Sequence, residues 1–229
     1  MNFKTVYLGS LASEPVKDHS SVRLLVKAAL AIWLALVFFF GAQDVFVSPT
    51  ETPPLRILVS ATVPLALFVA AYFRSRPFKA FVLASDVRLG AAIQGWRFAG
   101  LGFLALYVNG VLPKMFALPA GLGDIAIGAT APWIALALVR RPEFVANRLF
   151  VIWNLLGILD LIVAVGTGVL TSGFLGGITG GVTTAPMARL PLLLIPAYFV
   201  PLFVMIHLAA LFQARQSAGE SRDPSKGQR

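Results

Sequence analysis

The stretch LFVIWNLLGILDLIVAVGTGVL, residues 149–170, decides the fold. Asp160 is its single ionisable side chain and no proline interrupts it. A hydrocarbon core about 30 Å thick takes about 20 apolar residues of helix to cross, so this run crosses a bilayer once. The same reading carried outward gives six spans, at residues 25–46, 55–73, 91–112, 117–139, 149–170 and 188–212. With 58% hydrophobic and 13% charged residues, the 229-residue chain has too little charge to solvate a soluble domain of its size. The expected fold class is all-α, a polytopic membrane bundle of six transmembrane helices.

A formal net charge of +9 raises the question of nucleic acid, and the placement of that charge answers it. Lys4, Lys17, Arg23 and Lys27 precede or open the first span, and Arg74, Arg76, Lys79 and Arg88 fill the second connection. Arg140, Arg141 and Arg148 fill the fourth, and Arg215, Arg222, Lys226 and Arg229 follow the last span. The other connections carry one basic residue each, Arg56, Lys114 and Arg189. Basic residues on alternate connections mark the cytoplasmic side. Both termini are therefore expected in the cytoplasm, in a multi-pass protein of the cell inner membrane. The basic flanks become a contact for anionic lipid at the cytoplasmic face rather than for nucleic acid. Six short helices with small loops are few for a self-sufficient carrier, so a homo-oligomer or a partner subunit is expected beside the lipid bilayer.

Three regions follow: a polar cytoplasmic lead over 1–24, the transmembrane domain over 25–212, and a disordered cytoplasmic tail over 213–229. More than twenty polar and mixed residues precede the first apolar run, which argues against a cleaved signal peptide. Phe78, Phe81, Val82 and Leu89 recur at helical spacing with Ser85 on the same stripe, which predicts one interfacial helix after the second span. Between Gly166 and Pro186, Gly173, Gly176, Gly177, Gly180 and Gly181 exclude a stable helix and predict a mobile or shallow re-entrant outer loop. No Lys follows those glycines, so a phosphate cradle is not expected. Pro64 and Pro132 lie mid-span, while Pro191, Pro196 and Pro201 punctuate the last span. Each removes a backbone donor, so a kinked last helix lining the interior or a crevice is expected.

The chain has no cysteine, and its histidines are His19 and His207. Thiol chemistry is excluded, no metal-ligand spacing exists, and no cofactor is expected. The candidate chemistry is confined to polar residues at membrane depth: Arg97, Asp124, Asn154, Asp160 and His207. Such groups are costly in lipid and face the interior of a bundle. Arg97 either snorkels to the headgroups beside Trp96 or finds an interior partner. Counting rise along the spans sets Arg97, Asn154 and His207 in a cytoplasm-side layer, with Asp124 and Asp160 as an acidic pair in the outer half. Asn154, Gly157 and Asp160 share one stripe, and so do Ala120, Asp124, Gly128 and Pro132, a row of small or polar positions that admits another helix.

The segments LPKMFALPAGLGD, residues 112–124, and PLLLIPAYFVP, residues 191–201, are the most distinctive in the chain. Over spans three to six the sequence resembles a group of small uncharacterised bacterial membrane proteins, which brings no activity with it. Gly121-Leu122-Gly123-Asp124 also resembles the GxGD element of presenilin-type and prepilin-peptidase intramembrane aspartyl proteases. That resemblance implies Asp124 and Asp160 as a catalytic pair, with Pro196-Ala197-Tyr198 similar to the family's Pro-Ala-Leu element. The chain departs from the pattern in that Asp160 follows GxGD instead of preceding it, and Tyr198 replaces Leu. The leading expectation is a non-enzymatic small permease or proton-linked carrier with Asp124 and Asp160 as its titrating pair. The alternatives are a non-catalytic subunit or assembly partner of a membrane complex, and a GxGD-like protease.

Overall fold

Local signals start the helices where capping chemistry allows. In a computed structural model describing residues 20–49, 51–175 and 181–222, α1 runs Ser20–Gly41 and α2 runs Leu55–Arg74. Ser75 caps α3 (Arg76–Leu83) by accepting from the Phe78 amide at 3.3 Å. Asp86 caps α4 (Val87–Ile93) by accepting from the Arg88 amide at 2.9 Å. The chain then tightens into a 3-10 segment, Gln94–Gly100, and resumes as α5 (Leu101–Val108). α6 (Lys114–Arg140) and α7 (Arg148–Leu170) follow, the latter capped by Asn147 on the Leu149 amide at 2.8 Å. A π-helical turn, Ile195–Phe199, leads into α8 (Val200–Arg222).

Six helical stretches are long and apolar enough to cross a membrane: Ser20–Gly41, Leu55–Arg74, Val87–Val108, Lys114–Arg140, Arg148–Leu170 and Ile195–Gly219. All regular structure among the described residues is helical. The architecture is that of a multi-pass membrane protein, as the composition required, with the short helix α3 between the second and third spans.

α6 is the centre of the bundle, packed by α4, the 3-10 segment, α5 and α7. The close approach is made by small residues. A Cβ on Gly128 would run into the backbone nitrogen of Phe98, and one on Gly100 would sit 2.8 Å from the Gly121 carbonyl. Ala120, Asp124 and Gly128 of the expected row face a neighbouring segment, but buried Ala131 continues that face in place of Pro132, which is exposed. Ile134, Leu138, Phe150, Trp153 and Ala210 fill one end of the core, and Phe103, Leu112, Phe116 and Met187 fill the other. The polar residues lie between these two apolar layers. α1 stands apart, touching mainly α3 and the π-helical turn, with Trp33 against Tyr198 at 4.5 Å between ring centroids.

Several expected boundaries move. The third span starts at Val87, so Leu89 belongs to it rather than to the interfacial helix. α3 buries Val82 and sets Phe78 edge-on to Phe68 at 5.7 Å. The break after α3 is held by Gln213, whose Nε2 donates to the Val82 carbonyl at 3.0 Å and to Ser85 Oγ at 2.9 Å. α8 continues through Arg222, so 213–222 is helical and not a disordered tail. Burial of Ala210 and Ala214 against α6 and α7 carries the helix on. α1 likewise begins at Ser20, inside the expected lead. Residues 1–19 and 223–229 of the lead and tail lie outside the described residues.

Of the three final prolines, Pro191 precedes the last span, Pro196 lies in the π-helical turn, and Pro201 occupies the first turn of α8. Pro201 has no amide to donate, and it follows directly on the π-helical turn, where the Val200 amide donates to the Ile195 carbonyl, so the wider turn stands where the regular ladder is interrupted. In the fifth connection, Gly173 and Gly181 take φ of 102° and 99°, which ends helix formation. The described part of that connection is tied back to α7: Thr184 donates from its amide to the Thr171 carbonyl at 3.0 Å and from Oγ1 to the Gly168 carbonyl at 2.7 Å. Gly176, Gly177 and Gly180 lie outside the described residues.

Candidate functional site

Arg97 occupies the 3-10 segment and is 2% exposed. Its guanidinium enters a cleft between α6, α7 and α8. Nε donates to Asp124 Oδ1 at 2.7 Å, and Nη2 donates to Asp160 Oδ2. Nη1 donates to the Gly157 carbonyl at 3.3 Å and lies 3.2 Å from His207 Nε2. Because guanidinium only donates, Nε2 must accept, which leaves the His207 proton on Nδ1. That nitrogen lies 2.9 Å from Asn154 Oδ1, and Asn154 Nδ2 in turn donates to the Phe150 carbonyl at 2.8 Å. Donors and acceptors therefore alternate without conflict from the carboxylates to the backbone of α7, with a neutral His207.

The five polar residues singled out in the sequence thus form one network. The expected division into a cytoplasm-side layer and an outer acidic pair does not hold. Its depth count assumed a regular helix starting at residue 91. The third span instead starts at Val87, and about 1.5 Å per residue to Ile93 and about 2.0 Å per residue through the 3-10 turns carry Arg97 roughly 17 Å along it. Snorkelling is excluded by burial: Trp96 is 69% exposed while Arg97 points the other way, into the bundle.

Glycines make the room. A Cβ on Gly123 would coincide with the Asp160 carboxylate, and one on Gly157 would strike the His207 ring. A Cβ on Gly100 would stand 2.6 Å from that of Asp124. Within Gly121-Leu122-Gly123-Asp124, then, the second glycine seats the partner carboxylate and the first lets the 3-10 segment approach. Trp153 stacks edge-on against His207 with centroids 5.5 Å apart, and its Nε1 donates to Thr130 Oγ1 at 2.9 Å. Sequence reasoning missed Gln94, which is fully buried one turn before Arg97. Its Nε2 donates to the Phe203 carbonyl at 3.4 Å, and among the described residues its Oε1 has no partner. A glutamine inside an apolar span, three residues before an arginine, was the available signal.

With both carboxylates ionised, Arg97, Asp124 and Asp160 carry a net charge of minus one, and one bound proton makes them neutral. Asp124 and Asp160 keep 15% and 12% of their side chains exposed. Asp124 also lines a crevice of about 110 Å³ that is otherwise almost wholly apolar, bounded by the α1–α2 connection, α5, α6, α7 and the π-helical turn. Among the described residues no three His, Cys, Asp or Glu side chains are grouped so as to hold a metal ion.

Residues 53–215 match a family described as a domain of unknown function, DUF8737. The chain belongs to the DUF8737 family. No curated protein and no solved structure matches it. The matched region of this DUF8737 protein contains every residue of the Arg97 network and leaves out α1. Nothing in the match carries the protease resemblance. The geometry is also ill suited to it, since an aspartyl dyad must share a proton over one water, whereas here a guanidinium donates to both carboxylates.

Proposed function

We propose that this DUF8737 protein is a small membrane permease in which solute movement is linked to one proton held by Asp124, Arg97 and Asp160. The observation that carries the reading is the crevice lined in part by Asp124, one of two carboxylates bridged by a single buried guanidinium. A triad of net charge minus one, reached from one end of the bundle, can exist with or without a proton. Arg97 couples that change to three other spans through Asp124, Asp160, the Gly157 carbonyl and His207. In this reading the protein lies in the inner membrane with anionic lipid along its basic face, and the charge distribution of the connections supports both termini being cytoplasmic. The crevice then opens outward.

Proteoliposomes with an internal pH indicator test this. A pH gradient should drive flux of a transported solute, and Asp124→Asn and Asp160→Asn should each abolish it while the protein stays monodisperse. An infrared titration should show a protonated carboxyl band that either variant removes. Unchanged flux and an unchanged band in both variants would overturn the reading.

A subunit role is favoured by one separate observation. α1 leaves an apolar trench of about 690 Å³ against α2, α3 and α8, lined by residues such as Trp33, Leu36, Phe68, Phe81 and Met205. A helix of a second copy or of a partner fits that trench. Native mass measurement of the particle extracted in nanodiscs reads it directly.

A further inference from the structure

We infer that the crevice over Asp124 is a binding site for a small organic cation with an apolar body, exchanged there for the proton of the triad. The inference rests on the permease reading and names its class of solute. Three features of the crevice select that chemistry. Among its described lining residues Asp124 is the single charged side chain. Phe46, Phe103 and Phe116 present three aromatic rings to the same space, and ring faces attract cations, quaternary ammonium groups above all. The remaining polar side chains of the lining are hydroxyls, from Ser48, Thr52, Ser172 and Thr184, and those of Thr52, Ser172 and Thr184 already donate to backbone carbonyls and turn lone pairs to the crevice.

Charge accounting gives the exchange. The charged groups facing Asp124 are Arg97 from the third span and, across the guanidinium, Asp160 from α7, with neutral His207 of α8 behind them. Their sum of minus one is satisfied by one proton or by one monovalent cation, and not by both. Basic residues near the mouth are engaged elsewhere: Arg56 Nη1 donates to the Val45 carbonyl at 2.6 Å, and Arg189 pairs with Asp44 at 3.6 Å. Volume limits the size. The cavity of about 110 Å³ is smaller than one of about 150 Å³ that takes a benzene molecule, so it takes a trimethylammonium head with the rest of a small solute lying toward the open mouth, and a polycyclic drug does not fit.

The test uses three probes of one shape: phenyltrimethylammonium, its neutral isostere tert-butylbenzene, and the anion 4-tert-butylbenzoate. Each is titrated calorimetrically against the full chain in uncharged nanodiscs, in buffers of different ionisation enthalpy. The cation should bind with proton release and weaken as pH falls. The isostere should bind at least tenfold more weakly, and the anion should not compete. Asp124→Asn should cost at least tenfold in cation affinity. Thr52→Arg, at the exposed mouth, should weaken the cation several-fold more than the isostere. Equal binding of cation and isostere, cation binding that ignores pH, or parent-like cation affinity in both variants would overturn the assignment. If the carboxyl band of the triad still titrates while phenyltrimethylammonium does not bind, the cation assignment falls alone. If that band is missing from the parent, the permease reading falls with it.

Discussion

Gly123 and Asp160 occupy one space: the position a Cβ would take on Gly123 is filled by the Asp160 carboxylate. The glycine of α6 is therefore part of the socket that presents a carboxylate of α7 to Arg97.

Gly123→Ala should displace Asp160 and lower stability by about 1–3 kcal/mol, the usual cost of overpacking. Gly102→Ala, where nothing lies within 4 Å, should be neutral or slightly stabilising. Thermal midpoints of the detergent-extracted variants check the contrast, and equal shifts would contradict the shared socket.

Arg97→Leu leaves two carboxylates in the bundle without their guanidinium. Breaking a buried ion pair costs about 3–5 kcal/mol, so its midpoint should fall well below that of Lys114→Leu, an exposed position expected within about 0.5 kcal/mol of the parent. Arg97→Lys should recover little, because an ammonium cannot reproduce the planar fork.

His207 should be observed as the neutral tautomer carrying its proton on Nδ1. Nitrogen NMR of histidine-labelled protein at neutral pH reads this, with His19 as the other signal. Asn154→Leu removes the acceptor of that proton and should cost about 1–3 kcal/mol.

Asp86 lies just before the third span, and its hydrogen bonds to Arg88 hold its carboxyl below the ordinary carboxylate range. A carboxyl whose folded value is depressed stabilises the fold above the unfolded value, and the contribution is lost as pH falls through the folded one. The excess stability of the parent over Asp86→Asn, expected at under about 1 kcal/mol for so exposed a pair, should be present at neutral pH and vanish as pH drops below about 4. A gap that widens on acidification would reverse the sign and refute it.

Reporter fusions after residues 85, 144 and 229 should report cytoplasm, and those after 50 and 175 the outside. Fifteen of the Lys and Arg residues flank one set of span ends and three the other, with Arg97 inside a span. An outside signal at the C-terminus would overturn the orientation.

The spans were legible because hydropathy over about twenty residues is a one-dimensional property. The identities of the site residues were legible for the same reason, since a charge stands out in an apolar run. Their joining was not. Arg97 meets Asp124 because seven residues adopt 3-10 geometry, and apart from Arg97 itself Gln94 through Gly100 differ from ordinary span sequence only in their two glycines and in Gln94. The helical stretch after residue 213 was also hidden, because its polar composition reads as tail until Ala214 and Gln213 are seen packed on α3, α6 and α7.

Among the described residues, all the partners of Arg97 lie downstream of it, at Asp124, Gly157, Asp160 and His207. An arginine near the centre of an isolated span costs about 2.5–3.5 kcal/mol to insert, and Val87–Val108 has the lowest mean hydropathy of the six, 1.2. As the chain emerges from the ribosome, this span therefore reaches the lipid before anything exists to neutralise it. Its residence there becomes secure in steps, with one carboxylate on the arrival of α6, a second with α7, and the imidazole only with α8. A polypeptide cut short before α7 is complete would keep the third span poised to slip back out. The sequence order of the spans is thus also the order in which Arg97 gains its partners.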